Sequence, residues 1–360
     1  MLKFETTTDL DADRLASFDL IIDVRSPSEY AEDHIPGAVN LPVLDDDERA
    51  RVGTIYKQVS PFEARRLGAA LVARNIAHHI DTTLSDQPQR FHPLVYCWRG
   101  GMRSNSMAII LASIGWRAAL VHGGYKTWRR QVVDALDRDA DDLPLIVIDG
   151  QTGSAKTEIL KILANQGEQV IDLEGVAAHR GSVFGPLTGQ EQPGQKSFET
   201  TLWDQIRRFD PGRPIYIEAE SALVGKCRVP KRIWQSMKVS PRIRIAVDPA
   251  ERARYLTTAY PDLIENRSKI NRALDQLTPH HGHDKIEVWR DLAGRGEWRS
   301  LAERLIVEHY DPAYDRSRKR ADQTHDLVLD TRRLDPGALA DLANRIVEAA
   351  RQLRRAHEPN

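Results

Sequence analysis

At 360 residues the chain exceeds one ordinary core and, at roughly 150 residues per domain, is expected to hold two domains. Its 51 lysines and arginines balance 52 aspartates and glutamates, which excludes a global basic field, so any nucleic-acid surface must be a local patch. Two cysteines exclude a disulfide framework and point to a reducing compartment, and no apolar run approaches the ~20 residues of a membrane span.

The first residues, Met1-Leu2-Lys3-Phe4-Glu5-Thr6, contain no apolar leader, so a cytoplasmic protein without a membrane partner is expected. Phe18-Asp19-Leu20-Ile21-Ile22-Asp23-Val24-Arg25 is a short apolar run ending in charge, as a buried parallel strand is. Ser26-Pro27 then caps a helical turn. His34 to Pro42 reads as turn, short strand, turn, and residues 47–80 as helix. Leu94-Val95-Tyr96 is the next strand, and Met107, Ile110, Leu111 and Ile114 follow at helical spacing up to Gly115. Ala118 to Val121 is a strand broken by Gly123-Gly124, before a helix from Tyr125. Strands alternating with helices imply a parallel sheet covered on both faces.

Residues 137–144 are acidic and end in Pro144, as an interdomain linker does. Expected next are a strand at 145–148, a helix at 156–165 and strands at 169–173, 214–218 and 241–247. Residues 175–194 are polar and loop-rich, a candidate binding segment. From 250 onward the pattern is mostly helical, ending in an amphipathic helix over 338–356. The expected division is 1–136, linker 137–144, a second domain over 145–310 and a helical segment over 311–360.

Two stretches carry chemistry. In the first, Cys97 follows a strand and precedes a helix inside Trp98, Arg99, Gly100, Gly101, Met102 and Arg103. A thiolate is the reactive form of cysteine, and helix N-termini and cations favour it. Loop amides at a helix start also bind anions. A Gly- and Arg-rich loop is a poor core, so Cys97 reads as a nucleophile, whereas Cys227 reads as a small packed residue. In the second, Gly150, Gln151, Thr152, Gly153, Ser154, Ala155, Lys156 and Thr157 lie between a strand and a helix, the context of a phosphate-binding loop. Ala155 replaces the usual second glycine. The amides would cradle a diphosphate, Lys156 would meet its charge, and Thr157 could reach a metal ion. Glu218 and Glu220, at a strand end, are candidates to hold a metal or a water, and Arg180 is a candidate substrate contact.

The first stretch resembles the rhodanese family: Asp23 to Tyr30, His34 to Asn40, Cys97, and Gly123-Gly124 with Trp128 match its motifs over about residues 15–130. The two stretches together resemble the bacterial tRNA 2-selenouridine synthases. The matching residues are Asp172-Leu173-Glu174-Gly175, His179-Arg180-Gly181-Ser182, Phe184-Gly185, Gln192-Pro193, Gln195-Lys196, Phe198-Glu199, Glu218-Ala219-Glu220-Ser221, Gly225, Pro230 and Tyr310-Asp311-Pro312 with Tyr314. The fold implied is an N-terminal rhodanese-like parallel α/β domain followed by a P-loop NTPase-like α/β domain with a helical C-terminal part.

The activity implied is replacement of sulfur by selenium in 2-thiouridine at the tRNA wobble position. It runs through S-geranylation with geranyl diphosphate and then selenation with selenophosphate. These are co-substrates, with no tightly bound cofactor, and a need for Mg2+ stays open. The partners implied are tRNA and an enzyme supplying selenophosphate, with a monomer as the working expectation. Candidate tRNA contacts are Lys226, Arg228, Lys231 and Arg232, then Arg316 to Arg320, and Arg351 with Arg354 and Arg355; Trp98 and Trp234 could stack on a base. Two other readings compete. One is a sulfurtransferase fused to a nucleotide-dependent kinase for small molecules. The other is a non-catalytic regulatory module, which the presence of Cys97 disfavours.

Overall fold

The computed structural model describes residues 4–138, 143–180, 185, 189–261, 264, 266–321 and 326–357. Gly181, Ser182 and Phe184, residues 139–142 of the expected linker, and the side chains of residues 138, 317–320, Arg354 and Arg355 lie outside the described residues. The chain forms two compact units, residues 1–137 with 193–208, and residues 138–192 with 209–360.

The first unit is built on a five-stranded parallel sheet. Its strands are β1 (Glu5–Thr7), β2 (Leu20–Asp23), β3 (Ala38–Asn40), β4 (Pro93–Tyr96) and β5 (Ala119–Val121), in the order β1-β5-β4-β2-β3. β4 is central and buried along its whole length, so each residue is apolar or aromatic, as a strand covered on both faces requires. Helices Asp46–Gln58 and Pro61–Asp81 fill the predicted helical region, each started by a side-chain cap from Asp45 and Ser60.

Helix Gln195–Ile206 also belongs to this unit, although residues 138–192 of the second unit precede it. Phe198 and Leu202 are fully buried, and Arg207 donates to the Leu10 carbonyl at 2.8 Å. Asp33 is 2% exposed and accepts from the Thr200 hydroxyl at 2.9 Å and the Tyr125 hydroxyl at 2.7 Å. Burial pushes the Asp33 carboxyl up, and these two donors oppose the shift. A contiguous boundary at 137–144 therefore does not describe the packing: one helix of the expected second domain is part of the first unit.

The second unit holds another five-stranded parallel sheet, ordered β12-β11-β6-β8-β7. Its strands are β6 (Leu145–Gly150), β7 (Gln169–Ile171), β8 (Ile215–Glu218), β11 (Arg242–Ala246) and β12 (Asp326–Asp330). A two-stranded antiparallel ribbon, β9 (Leu223–Val224) with β10 (Cys227–Arg228), stands apart from the sheet. β12 is a strand within the mostly helical region after 250, and is not among the strands expected from the sequence. Its alternation Leu327-Val328-Leu329 between two aspartates pairs with β11 from Arg242↔Asp326 to Ala246↔Asp330. The expected helical segment 311–360 thus contributes an edge strand as well as helices. Its last helix, Pro336–His357, buries Leu342, Ala343 and Ile346 against Ile159, Leu160 and Leu163 of helix Lys156–Asn165. Helices Arg267–His281, His283–Arg295 and Trp298–Leu305 close on a separate core around Trp289. A π-turn, Ile306–Tyr310, leads from them into helix Asp311–Ala321. The α/β fold expected, with two successive parallel-sheet domains, is present. No helix among the described residues is long and apolar enough to cross a membrane.

Candidate functional site

In the first unit Cys97 lies at the end of β4, immediately before helix Met102–Ile114. Its side chain is 3% exposed. The sulfur accepts the Gly101 N–H at 3.2 Å and lies 3.2 Å from the Ser104 hydroxyl. The loop is held by a close backbone approach: Tyr125 N–H donates to the Cys97 carbonyl at 2.8 Å, and Lys126 N–H to the Trp98 carbonyl at 3.2 Å. That approach requires Gly124, at φ 63°, where a Cβ would stand 2.2 Å from the Cys97 carbonyl oxygen and 2.5 Å from the Gly100 nitrogen. Arg103 faces Glu29, donating at 2.6 Å, and Glu29 also receives Arg49 at 3.1 Å. These guanidiniums hold the Glu29 carboxyl below its ordinary range against the effect of burial. Arg103 therefore braces the loop through Glu29, while Arg99 is exposed and has no carboxylate partner among the described residues. Trp98 is half-buried beside the Tyr125 ring, centroids 5.2 Å apart, with Lys196 Nζ 5.8 Å from its own centroid.

In the second unit the phosphate loop follows β6, the central strand, and opens helix Lys156–Asn165. A ligand at the carboxyl end of a central parallel strand meets converging loops and a helix N-terminus. Gly153 has φ 85° and packs on Leu256, 3.1 Å from where its Cβ would be. Ala155 adopts φ 60° and ψ 28°, the left-handed conformation that glycine takes without penalty. The Lys156 ammonium donates to the Gly150 carbonyl at 2.8 Å. Ser154 Oγ is buried with no hydrogen-bond partner among the described residues. Arg252, 1% exposed, donates to the Thr152 carbonyl at 3.1 Å and grips Asp311 through two bonds of 2.8 and 2.6 Å. The loop is thereby fastened to the Tyr310-Asp311-Pro312 motif.

Three carboxylates gather beside this loop. Oxygens of Glu174, Glu218 and Glu220 all lie within 4.8 Å of one another. The Thr157 hydroxyl donates to Glu174 at 3.1 Å, and the Glu174 N–H donates to Glu218 at 2.7 Å. Burial pushes the Glu218 carboxyl well up, and the neighbouring acids push it further. Burial and then the Glu174 charge push Glu220 up to about 8, while Lys156 opposes the shift. Glu218 Oε2 is buried without a partner among the described residues. An orphaned oxygen within a converging acidic set fits a divalent cation, which would replace the missing neutralisation.

From the loop a cleft runs between walls of Leu256, Ile270, Trp298, Leu301, Leu305 and Ile306. Arg180 and Tyr260 share this lining, with the guanidinium carbon 5.1 Å from the Tyr260 ring centre.

The family described as "tRNA 2-selenouridine synthase AAA domain" matches residues 143–287, and that described as "Rhodanese-like domain" matches residues 7–131. The chain is 32% identical over 327 residues to the tRNA 2-selenouridine synthase of Marinobacter nauticus, covering 82% of this chain and 87% of that one. It is 33% identical to that of Alcanivorax borkumensis, covering 82% and 88%. The chain belongs to the tRNA 2-selenouridine synthase family. The synthase of Aeromonas salmonicida is 37% identical over 243 residues, 67% of this chain and 64% of its own length.

In this member of the synthase family, the first expected tRNA cluster splits between two elements. Lys226 and Arg228 are exposed on the β9–β10 ribbon, which turns at Gly225 with φ 59°. Lys231 and Arg232 are exposed in the first turn of helix Lys231–Val239. Cys227 between them is fully buried, and burial pushes its thiol up, as suits a packed residue. Trp234 is half-buried. Glu218, Glu220 and Arg180 do meet the phosphate loop in one site. Sequence reasoning did not select Glu174, Leu256, Tyr260 or Leu301. Glu174 stood inside a family motif that carried the signal; the cleft residues sit in ordinary helical periodicity, which marks burial and not the identity of what is buried.

Proposed function

We propose that this chain is an enzyme acting on tRNA that replaces the sulfur of wobble 2-thiouridine by selenium in two steps. The observation that supports this best is the apolar cleft opening at the phosphate loop. Largely apolar walls of leucine, isoleucine and aromatic side chains suit the hydrocarbon of geranyl diphosphate. At about 0.8 kcal/mol per buried methylene, such a chain gains several kcal/mol there. In the first step the 2-thio sulfur attacks the first carbon of the geranyl group. The carbon–oxygen bond breaks, the base gives up its N3 proton to solvent, and diphosphate departs with its electron pair toward the loop amides and Lys156. Glu174, Glu218 and Glu220, with Thr157, would hold Mg2+, which supplies charge neutralisation for the diphosphate.

In the second step selenium from selenophosphate bonds to the ring carbon, and the S-geranyl group leaves as the thiolate. Water takes the phosphoryl group from selenium, releasing phosphate and a proton. Alkylation turns a poor leaving group into a good one, which gives the first step its purpose. Cys97, whose sulfur meets the Gly101 amide at a helix start, positions the selenophosphate anion for this attack. The homologues' names support a tRNA substrate, and a selenophosphate-producing enzyme is the expected supplier.

Nucleoside mass spectrometry of tRNA from cells carrying single variants tests both sites. Cys97→Ser is expected to accumulate S-geranyl-2-thiouridine with little 2-selenouridine. Lys156→Ala is expected to leave 2-thiouridine unmodified. Normal 2-selenouridine in both strains rejects the assignment. ATP turnover that depends on Lys156 in the absence of tRNA would instead favour the fused sulfurtransferase–kinase.

A further inference from the structure

We propose that Arg99, His122, Lys126 and Arg130 form a docking surface for the phosphate backbone of the substrate RNA, beside the thiol loop. The proposal rests on the reading of a tRNA substrate above. These four side chains line one cleft in the first unit. Arg99 comes from the loop after β4, His122 from the end of β5, and Lys126 and Arg130 from helix Tyr125–Arg138. The cluster thus gathers at the carboxyl edge of the sheet, the same edge that carries Cys97. The Thr127 hydroxyl donates to the His122 carbonyl at 2.6 Å, fastening the turn to the helix start.

What marks these residues is that cations without an ion pair lie together in one cleft. Among the described residues of this unit Arg25 holds Asp23, Arg103 holds Glu29 and Arg129 holds Glu199. Arg99, Lys126 and Arg130 have no carboxylate within ion-pair reach among the described residues, and all are exposed, as is His122. Cations collected without counter-charge repel one another unless an anion joins them. In a chain of net charge −1 such a patch is local, not the overflow of a basic protein. Its layout suits a polyanion. Lys126 and Arg130 are four residues apart on the helix, about 6 Å along the axis, so they meet successive charges of a chain instead of converging on one. Long, exposed cations that sum their effects are the usual grip on a nucleic-acid backbone.

The test measures binding of 2-thiouridine-containing tRNA to the full chain against salt concentration. Changing Lys126→Gln and Arg130→Gln together is expected to lower the log–log salt slope by about two and weaken binding roughly tenfold or more at physiological salt. The charge-keeping pair Lys126→Arg with Arg130→Lys is expected to retain both. An unchanged slope in the glutamine pair overturns the proposal, as does an equal loss in the charge-keeping pair. Inorganic phosphate that shields Cys97 from alkylation only when these cations are present, with the salt slope unchanged, assigns the cluster to a small oxyanion and also overturns it. A wild-type chain that fails to bind the tRNA at all rejects the functional reading instead.

Discussion

Ala155 and the three glutamates show how single residues set the phosphate site. A left-handed alanine costs about 1–2 kcal/mol relative to a right-handed one, and its surroundings hold it there at 5% exposure. The glutamates hold a second cost, because carboxylates this buried charge reluctantly. Both Glu218 and Glu220 are raised above their ordinary value of 4.5 in the fold, so the fold prefers them protonated. Their contribution to stability is complete below about 4.5 and is lost as pH rises through about 8 for Glu220. The expected outcome is a melting temperature that falls from mildly acidic to alkaline pH in chelator. Added Mg2+ should restore it at the alkaline end, and Glu220→Gln should flatten the profile. Thermal melts across that range, with and without Mg2+, decide it. A Glu220→Gln profile as steep as the parent's would remove Glu220 from the effect.

At the level of elements, the cleft is a joint product of the helices after β11 and the loop after β6. Leu256 stands on helix Pro249–Ala259 and Leu301 on helix Trp298–Leu305, and both face the phosphate loop. Leu256→Ala or Leu301→Ala is expected to raise KM for geranyl diphosphate about tenfold, the effect of a lost apolar contact, with KM for tRNA unchanged. Steady-state kinetics with each substrate varied checks it; an unmoved geranyl diphosphate KM takes the cleft out of substrate binding. The loops themselves were legible in the sequence because their signals are local. A strand, a glycine-bearing turn and a helix start lie within a dozen residues of each other at both Cys97 and Lys156. The edge strand Asp326–Asp330 was not, since five residues with three aliphatics fit a helix as readily until β11 supplies its partner. The gathering of Glu174 with Glu218 was equally hidden, because it depends on β8 lying between β6 and β7.

For the molecule as a whole, the location of helix Gln195–Ile206 in the first unit decides how that unit can be studied. Phe198 and Leu202 are fully buried, at about 1.5–3 kcal/mol each, and Thr200 satisfies part of the Asp33 carboxylate. Residues 1–137 expressed alone are therefore expected to be destabilised by several kcal/mol, and joining 193–208 to them through a flexible linker is expected to recover most of it. Denaturant unfolding of the two fragments tests this; equal stability would mean that the helix adds nothing to the unit. That helix is not among the elements expected from the sequence, and the apolar face of Phe198, Leu202 and Ile206 would suit either parallel sheet, so the residues carry no address.

The chain passes between its units at 137–138, again at 192–193 and again at 208–209. The first domain is consequently not a portable cassette. A recombination event with its breakpoint in the linker would deliver a rhodanese-like sheet stripped of its own helix and leave that helix in the recipient. Substitutions at Asp33 are expected to be answered by changes at Thr200, and those at Arg129 by changes at Glu199, far along the chain.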